Sequence, residues 1–143
     1  MSCSNSLLVK FPSISKNEAL ARNIVSCFVL ELNPSVSEIS DIKTAVSEAV
    51  TNCIVHGFPN EVGEITLKCE IIEDKIHINI LDNGVGIKNL KEALEPFYTT
   101  KPSEERSGMG FTIMKSFMDE VIVKSDEGKG TEVYMIKKIN SNG

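Results

Sequence analysis

The sequence has 143 residues, of which 41% are hydrophobic and 24% charged, with a formal net charge of −5. This length and balance are typical of one folded domain with its own core and exclude a disordered chain, so we predict a single domain over residues 1–143. The acidic excess argues against a general nucleic-acid binder or a membrane-surface binder, because both need concentrated Lys and Arg.

A short strand and a helix are predicted at the start of the chain. Residues 6–11 form an apolar stretch of strand length that ends at a proline. Ser15 and Glu18 then form a capping-box pattern, and apolar residues recur every four positions behind it. The pattern predicts a helix that runs to about Leu32, where Asn33-Pro34 stops it.

A second helix is predicted directly afterwards. Ser35 and Glu38 repeat the capping pattern, and the helical period continues to about His56, with Gly57 as its terminator. Four apolar positions are expected to form its buried face: Ile42, Val46, Ala49 and Cys53.

The rest of the sequence predicts two hairpins and a further helix. Apolar residues alternate with polar ones in 65–71 and 76–80, with a turn at Glu73-Asp74 between them. After this hairpin the patterns predict a short helix near 90–94, a mobile loop over 96–109, a helix from Gly110, and a closing hairpin of 120–125 with 131–138. Together these elements predict an α+β fold, a two-layer sandwich in which a mixed β-sheet is covered on one face by helices.

The four cysteines lack metal-ligand or redox-motif spacing. Three of them fall on apolar positions, so we expect small buried thiols in a reducing compartment. The apolar run Leu7-Leu8-Val9 is too short for a signal peptide or a membrane span. These features favour a cytoplasmic protein without a membrane partner.

Three polar residues are expected to share one stripe of the second helix. Glu48, Asn52 and His56 are spaced four apart, beside the predicted buried face. An Asn oxygen can ligate Mg²⁺ and a Glu can act as a general base. By itself, however, the stripe is more typical of an ordinary amphipathic boundary.

Two glycine-containing segments extend this candidate site. Asp82-Asn83-Gly84-Val85-Gly86 follows a predicted strand, so that the backbone can approach a flat ligand and the carboxylate can accept from an exocyclic amine. Ser107-Gly108-Met109-Gly110 opens a predicted helix, where N–H groups favour an anion. Neither is a Walker A loop or a dinucleotide fingerprint, and each alone is also typical of a turn or a flexible connection.

The order and spacing of these segments resemble those of a known superfamily. Glu48-x3-Asn52-x3-His56, Asp82-x-Gly84-x-Gly86, Gly108-x-Gly110 and Gly130-Thr131 are similar to the conserved boxes of the GHKL ATPases, which include gyrase-type ATPases, sensor histidine kinases and mismatch-repair ATPases. Three longer stretches, 17–22, 47–57 and 97–119, resemble the anti-sigma-factor serine kinases of spore-forming bacteria, particularly the sporulation members.

The resemblance implies a role for each matching residue. Glu48 matches the glutamate that activates the attacking group, Asn52 the asparagine that binds Mg²⁺, and Asp82 the aspartate that binds the adenine amine. Arg106, in a segment that matches the ATP lid, is implied to reach the phosphates, and Arg22 matches an arginine that contacts protein partners. The other nucleotide-binding positions implied by the match are Gly84, Gly86, Thr99, Thr100, Lys101, Ser107, Gly108, Met109, Gly110 and Thr131.

The implied activity is transfer of the γ-phosphate of ATP to a serine of a small anti-anti-sigma protein. The implied partners are that substrate, a sporulation sigma factor of the sigma-F type that the protein sequesters, and a second copy of the chain in a homodimer; the nucleotide is ATP or ADP with Mg²⁺. Two alternatives stay open: a nucleotide-gated sigma-binding module without kinase activity, and the related stress-response serine kinase. A sensor histidine kinase or a gyrase-type clamp is disfavoured, because neither a phosphoacceptor helix hairpin nor a transducer domain is visible in the sequence.

Overall fold

The structure, a computed structural model, describes residues 3–58, 61–86 and 110–140. The predicted helix near 90–94 and the predicted loop 96–109 lie outside these ranges. In chain order the elements are strand β1 (Asn5–Pro12), helix α1 (Asn17–Phe28), a 3₁₀ turn (Val29–Leu32), helix α2 (Val36–Asn52), a π-helical turn (Cys53–Gly57), strands β2 (Glu64–Ile72) and β3 (Lys75–Asp82), helix α3 (Gly110–Phe117), and strands β4 (Glu120–Asp126) and β5 (Gly130–Lys138).

The five strands form one sheet in the order β1-β2-β3-β5-β4. All four pairings are antiparallel, so the mixed sheet expected from the sequence is corrected to an antiparallel one. The β2–β3 and β4–β5 hairpins dictate two of these pairings, because a short turn reverses the chain. The long connections set the other two directions, which local sequence patterns do not encode. The two-layer α+β class itself is confirmed.

The core lies between the helices and one face of the sheet. Alternate residues of β2, β3 and β5 point inward, as the period of two predicts. They pack with the helices in one hydrophobic cluster, in which the four residues predicted for the buried face of the second helix are all buried. Helix α2 packs against both α1 and α3, so it lies between these two helices in the helical layer. Its position brings the polar stripe of α2 beside the start of α3.

The two capping patterns have different outcomes. At α2 the prediction is confirmed: the Glu38 N–H donates to Ser35 Oγ over 3.0 Å, and the Ser35 N–H donates to Glu38 Oε1 over 2.9 Å. At α1 the prediction is wrong, because the helix begins at Asn17 and its cap residue is Lys16, without a side-chain cap hydrogen bond. The Glu18 carboxylate instead accepts from Arg22 one turn ahead.

The cysteines only partly follow the prediction. Cys53 and Cys69 are buried, whereas Cys3 and Cys27 are exposed, and all four are free thiols. Only two cysteines are therefore buried, and the expectation of three apolar positions is wrong for one of them; Cys27, near the end of α1, is exposed. In the described ranges, no helix has the length and apolar character needed to cross a bilayer.

Candidate functional site

One half of the candidate site is the contact between α2 and the first residue of α3. Glu48 is buried, with 8% of its surface exposed, and Asn52 one turn later is half-buried. A Cβ atom built at Gly110 would lie 3.1 Å from Asn52 Nδ2, 3.3 Å from Asn52 Oδ1 and 3.5 Å from Glu48 Oε2. The carboxylate and the amide therefore meet the N-terminus of α3, where backbone N–H groups lack helical partners.

The second half surrounds Asp82, the last residue of β3, of which 5% is exposed. A Cβ atom at Gly57 would lie 3.0 Å from Asp82 Cγ and Oδ1 and 3.1 Å from Oδ2. Gly84 approaches the same turn still more closely, since its Cβ atom would lie 1.9 Å from the Gly57 carbonyl oxygen. Both glycines are thus needed for the carboxylate to sit this close to the backbone of the π turn.

A backbone donor stabilises the buried carboxylate: the Gly84 N–H donates to Asp82 Oδ1 over 2.8 Å. Burial raises the pKa of Asp82 above its usual range, and interactions with Gly84, Cys53 and Thr131 oppose that rise. An ionised carboxylate offers about four acceptor positions, so acceptor positions remain for a ligand donor.

The loop after β3 is held from both sides. The Val85 N–H donates to the Gly57 carbonyl over 2.9 Å, and the Gly128 N–H donates to the Val85 carbonyl over 2.6 Å. Gly86 has a φ of 74°, a left-handed conformation that favours glycine. The loop is therefore fixed beside Asp82, between the π turn and the β4–β5 turn.

Thr131 lies opposite Asp82 in the pairing of β3 with β5. Its hydroxyl forms a 2.8 Å hydrogen bond with the hydroxyl of Ser125, which also donates to the Gly130 carbonyl over 2.9 Å. This pair of hydroxyls borders the carboxylate at the start of β5. The predicted grouping of Thr131 with Asp82 is thus present in the fold.

The two halves are continuous along the chain, because Asn52 faces Gly110 and the π turn that follows Asn52 contacts Asp82 through Gly57. The predicted stripe is corrected at His56: Cys53–Gly57 is a π turn, whose i→i+5 geometry changes the angular step from Asn52. A π turn inside an α-helix is frequent at functional sites. Arg22, predicted to contact partners, lies apart on α1 and pairs with Glu18 at 3.1 Å.

Seven predicted site residues fall outside the described ranges: Thr99, Thr100, Lys101, Arg106, Ser107, Gly108 and Met109. Two residues with structural roles at the site were missed. Cys53 was assigned only to the core, and Gly57 only to helix termination. The close packing of Gly57 and the position of its carbonyl depend on the π turn, which no sequence pattern indicates. Cys53 directly follows Asn52, and this could have suggested a position at the edge of the site.

The described residues contain no cluster of three or more His, Cys, Asp and Glu side chains suited to a metal ion. Mg²⁺ needs less from the protein, because it is usually bound through one or two side-chain oxygens together with water and substrate phosphates. The adjacent Asn52 and Glu48 beside the N-terminus of α3 fit that requirement.

Comparisons with known proteins show the family of this chain. The family described as histidine kinase-like ATPase domain matches residues 11–137. The anti-sigma F factor of Caldanaerobacter subterraneus subsp. tengcongensis is 50% identical over 142 residues, which are 99% of each chain. The anti-sigma F factor of Clostridium beijerinckii is 52% identical over 137 residues, covering 95% of this chain and 96% of that protein.

Solved structures share the fold at low identity. The structure of the RsbU and RsbW domains of Rv1364c from Mycobacterium tuberculosis matches with a TM-score of 0.68 and 16% identity, over 95% of this chain and 32% of that one. The catalytic domain of the histidine kinase ThkA matches with a TM-score of 0.59 and 15% identity, over 93% of this chain and 96% of that one. At these identities the likeness concerns the fold.

Proposed function

This chain belongs to the histidine kinase-like ATPase domain family and, within it, to the anti-sigma F factors, and from that premise we propose that it is an ATP-dependent serine kinase that also sequesters a sigma factor. The observation that carries the proposal is the contact of Glu48 and Asn52 with Gly110, continuous with the glycine-lined carboxylate of Asp82. One elongated site then has a carboxylate at each end, with different surroundings.

The Asp82 end suits the adenine ring. The carboxylate is buried and retains an acceptor position, which an exocyclic amine can fill. Gly86 has no side chain above the backbone, so a flat ring can lie against the loop, whereas Gly84 lets the loop approach the π turn. Thr131, on the neighbouring strand, borders the same carboxylate. A base without an amine at that position leaves the carboxylate with an unfilled acceptor.

The Glu48 end suits the phosphates. The N–H groups at the start of α3 attract anions, and Gly110 lets a phosphate approach Asn52 closely. Asn52 would hold Mg²⁺, with Glu48 beside it, and the ion would neutralise phosphate charge when bound. Thr99, Thr100, Lys101, Arg106, Ser107, Gly108 and Met109 complete this end in the proposal, as the sequence resemblance implies.

Glu48 is proposed as the general base of the transfer. The serine oxygen of the substrate bonds to the γ-phosphorus, the bond to the β–γ bridging oxygen breaks, and ADP leaves. The serine proton passes to the Glu48 carboxylate. Glu48 is buried, so its carboxylate faces the inside of the proposed site rather than bulk solvent.

The partners follow from the family. The proposed substrate is a small anti-anti-sigma protein that loses its activity on phosphorylation, and the sequestered protein is a sporulation sigma factor of the sigma-F type. We propose that the chain acts as a homodimer in the cytoplasm, and that the choice of ATP or ADP switches its partners. The names of the anti-sigma F factors that it resembles support the sigma-factor part of this proposal.

The test compares the wild type with Glu48→Gln. Each protein is incubated with γ-labelled Mg·ATP and the anti-anti-sigma protein of the same organism, and ATP affinity is measured in parallel. We expect label on a serine of the substrate with the wild type, and a loss of 100-fold or more in the rate with Glu48→Gln at unchanged ATP affinity. Tight ATP binding by the wild type without any transfer would instead identify a nucleotide-gated sigma-binding module.

A further inference from the structure

Lys137 of strand β5 joins the end of α3 to α2. Only 12% of its side chain is exposed, because it shares the inward-facing side of β5 with buried residues. Its Nζ donates to the Phe117 carbonyl over 2.8 Å and lies 3.7 Å from Asp41 Oδ2. Phe117 is the last residue of α3, so its carbonyl has no partner within the helix, and a cation there also complements the helix dipole.

The two ends of α3 meet α2 at different places. At the N-terminus, a Cβ atom built at Gly110 would lie 3.1 Å from Asn52 Nδ2, so α3 begins against the last turn of α2. At the other end, Lys137 connects Phe117 to Asp41, about three turns earlier in α2. Helix α3 thus runs antiparallel to α2, and Lys137 acts at the end that is remote from the proposed phosphate site.

The backbone bonds that follow α3 do not replace this connection. The Asp119 N–H donates to the Ile136 carbonyl over 2.9 Å, and the Lys138 N–H donates to Asp119 Oδ2 over 2.6 Å. Both bonds join residue 119 to β5 rather than to α2. Because α3 has only eight residues, and helices of this length are marginal by themselves, its position along α2 depends on contacts at its ends.

We infer that Lys137 is a positioning residue for the phosphates of the nucleotide: through the Phe117 carbonyl and Asp41 it holds the N-terminus of α3 at the proposed phosphate site. This inference rests on the proposed nucleotide function. The alternative is that Lys137 only stabilises the fold. The two roles differ in one measurable respect, because a displaced α3 weakens the binding of phosphates and leaves the adenine end, at Asp82, unchanged.

The experiment measures the affinities of Mg·ATP and of adenosine, which has no phosphates, for the wild type, Lys137→Met and Lys137→Arg. In Lys137→Met, which keeps an apolar stem, we expect the affinity for Mg·ATP to fall about five-fold, the size of one weakened hydrogen bond, at unchanged affinity for adenosine. In Lys137→Arg the guanidinium again donates to the carbonyl and the carboxylate, so most of the affinity for Mg·ATP returns.

Lys138→Met is the matched control. It removes an equal charge and an ion pair of equal length, 3.7 Å, which Lys138 forms with Asp74 at an exposed position. We expect it to change neither affinity. An equal fall in the affinity for Mg·ATP in this control would overturn the inference, because the lost charge and not the position of α3 would then weaken the anion.

Two results with Lys137→Met would also overturn the inference: an unchanged affinity for Mg·ATP, or an equal weakening of both ligands. If this variant does not fold, Asp41→Asn makes the same comparison, because it removes the carboxylate on α2 that the ammonium faces. We then expect a loss of about two-fold for Mg·ATP alone, and the absence of a selective loss would contradict the inference. A wild type that binds neither ligand would refute the proposed function itself, and the inference with it.

Discussion

At the scale of single residues, close backbone approach determines the candidate site. Gly57 and Gly84 have no side chains where Asp82 meets the π turn, and Gly110 has none where α3 meets Asn52. The sequence identified Gly84 and Gly110 because each stands in a recognisable Gly-containing segment. It assigned Gly57 only to helix termination, because its contact with Asp82 joins residues 25 positions apart in the chain and depends on the π turn.

Gly84→Ala tests whether this close approach forms the site. The new Cβ atom would lie 1.9 Å from the Gly57 carbonyl oxygen, and displacing this backbone atom costs free energy. We expect about 1–3 kcal/mol less free energy of unfolding and a loss of ATP affinity of tenfold or more. Chemical denaturation and calorimetric titration measure the two effects.

Gly128→Ala is the matched control for this substitution. Its Cβ atom would meet no atom within 4 Å, but its φ of 81° strains an alanine by roughly 1–2 kcal/mol. We expect it to lose stability and to keep its ATP affinity. Wild-type affinity in Gly84→Ala would show that the loop can shift without harm to the site.

At the scale of elements, two similar sequence patterns had different outcomes. Both Ser15-x-x-Glu18 and Ser35-x-x-Glu38 predict a capping box, but only the second forms. At α1, Asn17 donates its side-chain amide to the Pro12 carbonyl over 2.9 Å, and Glu18 pairs with Arg22. These local partners compete with the box, so the sequence predicted that a helix starts here but missed the residue that caps it.

Glu38 connects the start of α2 to the end of the sheet layer. Its Oε2 accepts from the Asn140 N–H over 2.8 Å, in addition to the capping bond from Ser35. Slight burial raises the pKa of Glu38, but the hydrogen bonds from Ser35 and Asn140 and the charge of Lys137 together lower it below its ordinary value of 4.5. The ionised side chain therefore stabilises the fold above that pH, and this contribution is lost as the pH falls through the folded-state pKa.

Glu38→Gln should therefore reduce stability in a pH-dependent way. We expect a lower melting temperature than the wild type at pH 7, and a difference that shrinks below pH 4.5 as the wild-type side chain is protonated. Thermal unfolding followed by circular dichroism at several pH values measures this. Glu64→Gln, at an exposed position of β2, controls for the loss of one negative charge. A constant difference across the pH range would contradict the assignment.

At the scale of the whole molecule, periodicity predicted the layers and the core. The alternation in β2 and β3 and the stripe of α2 identified inward-facing residues that are buried in the structure. The order β1-β2-β3-β5-β4 and the direction of β1 could not be predicted, because local sequence patterns do not indicate which strand lies at the edge of a sheet. The positions of the five strands nevertheless bring Asp82 and Thr131 side by side, as the resemblance implied.

Arg22 tests the proposed separation of partner binding from nucleotide binding. The side chain is 38% exposed on α1, where it is paired with Glu18, and it is not among the residues that contact Asp82 or Gly110. We expect Arg22→Glu to weaken sigma-factor binding at least tenfold, about 1.4 kcal/mol, with unchanged ATP affinity. Lys68→Glu on strand β2 is the matched charge reversal and should change neither affinity. Full sigma-factor binding by Arg22→Glu would remove this residue from the interface.

We propose that one adenine nucleotide binds between Asp82 at one end and Glu48 with Asn52 at the other. Calorimetric titration of Mg·ATP and Mg·GTP into the wild type and into Asp82→Asn tests this proposal. We expect one ATP per chain, GTP binding at least tenfold weaker, and a loss of most ATP affinity in Asp82→Asn, because the amide replaces one acceptor oxygen by a donor NH2 group. Equal affinities for ATP and GTP, or unchanged ATP binding by Asp82→Asn, would contradict the claim that Asp82 selects the base.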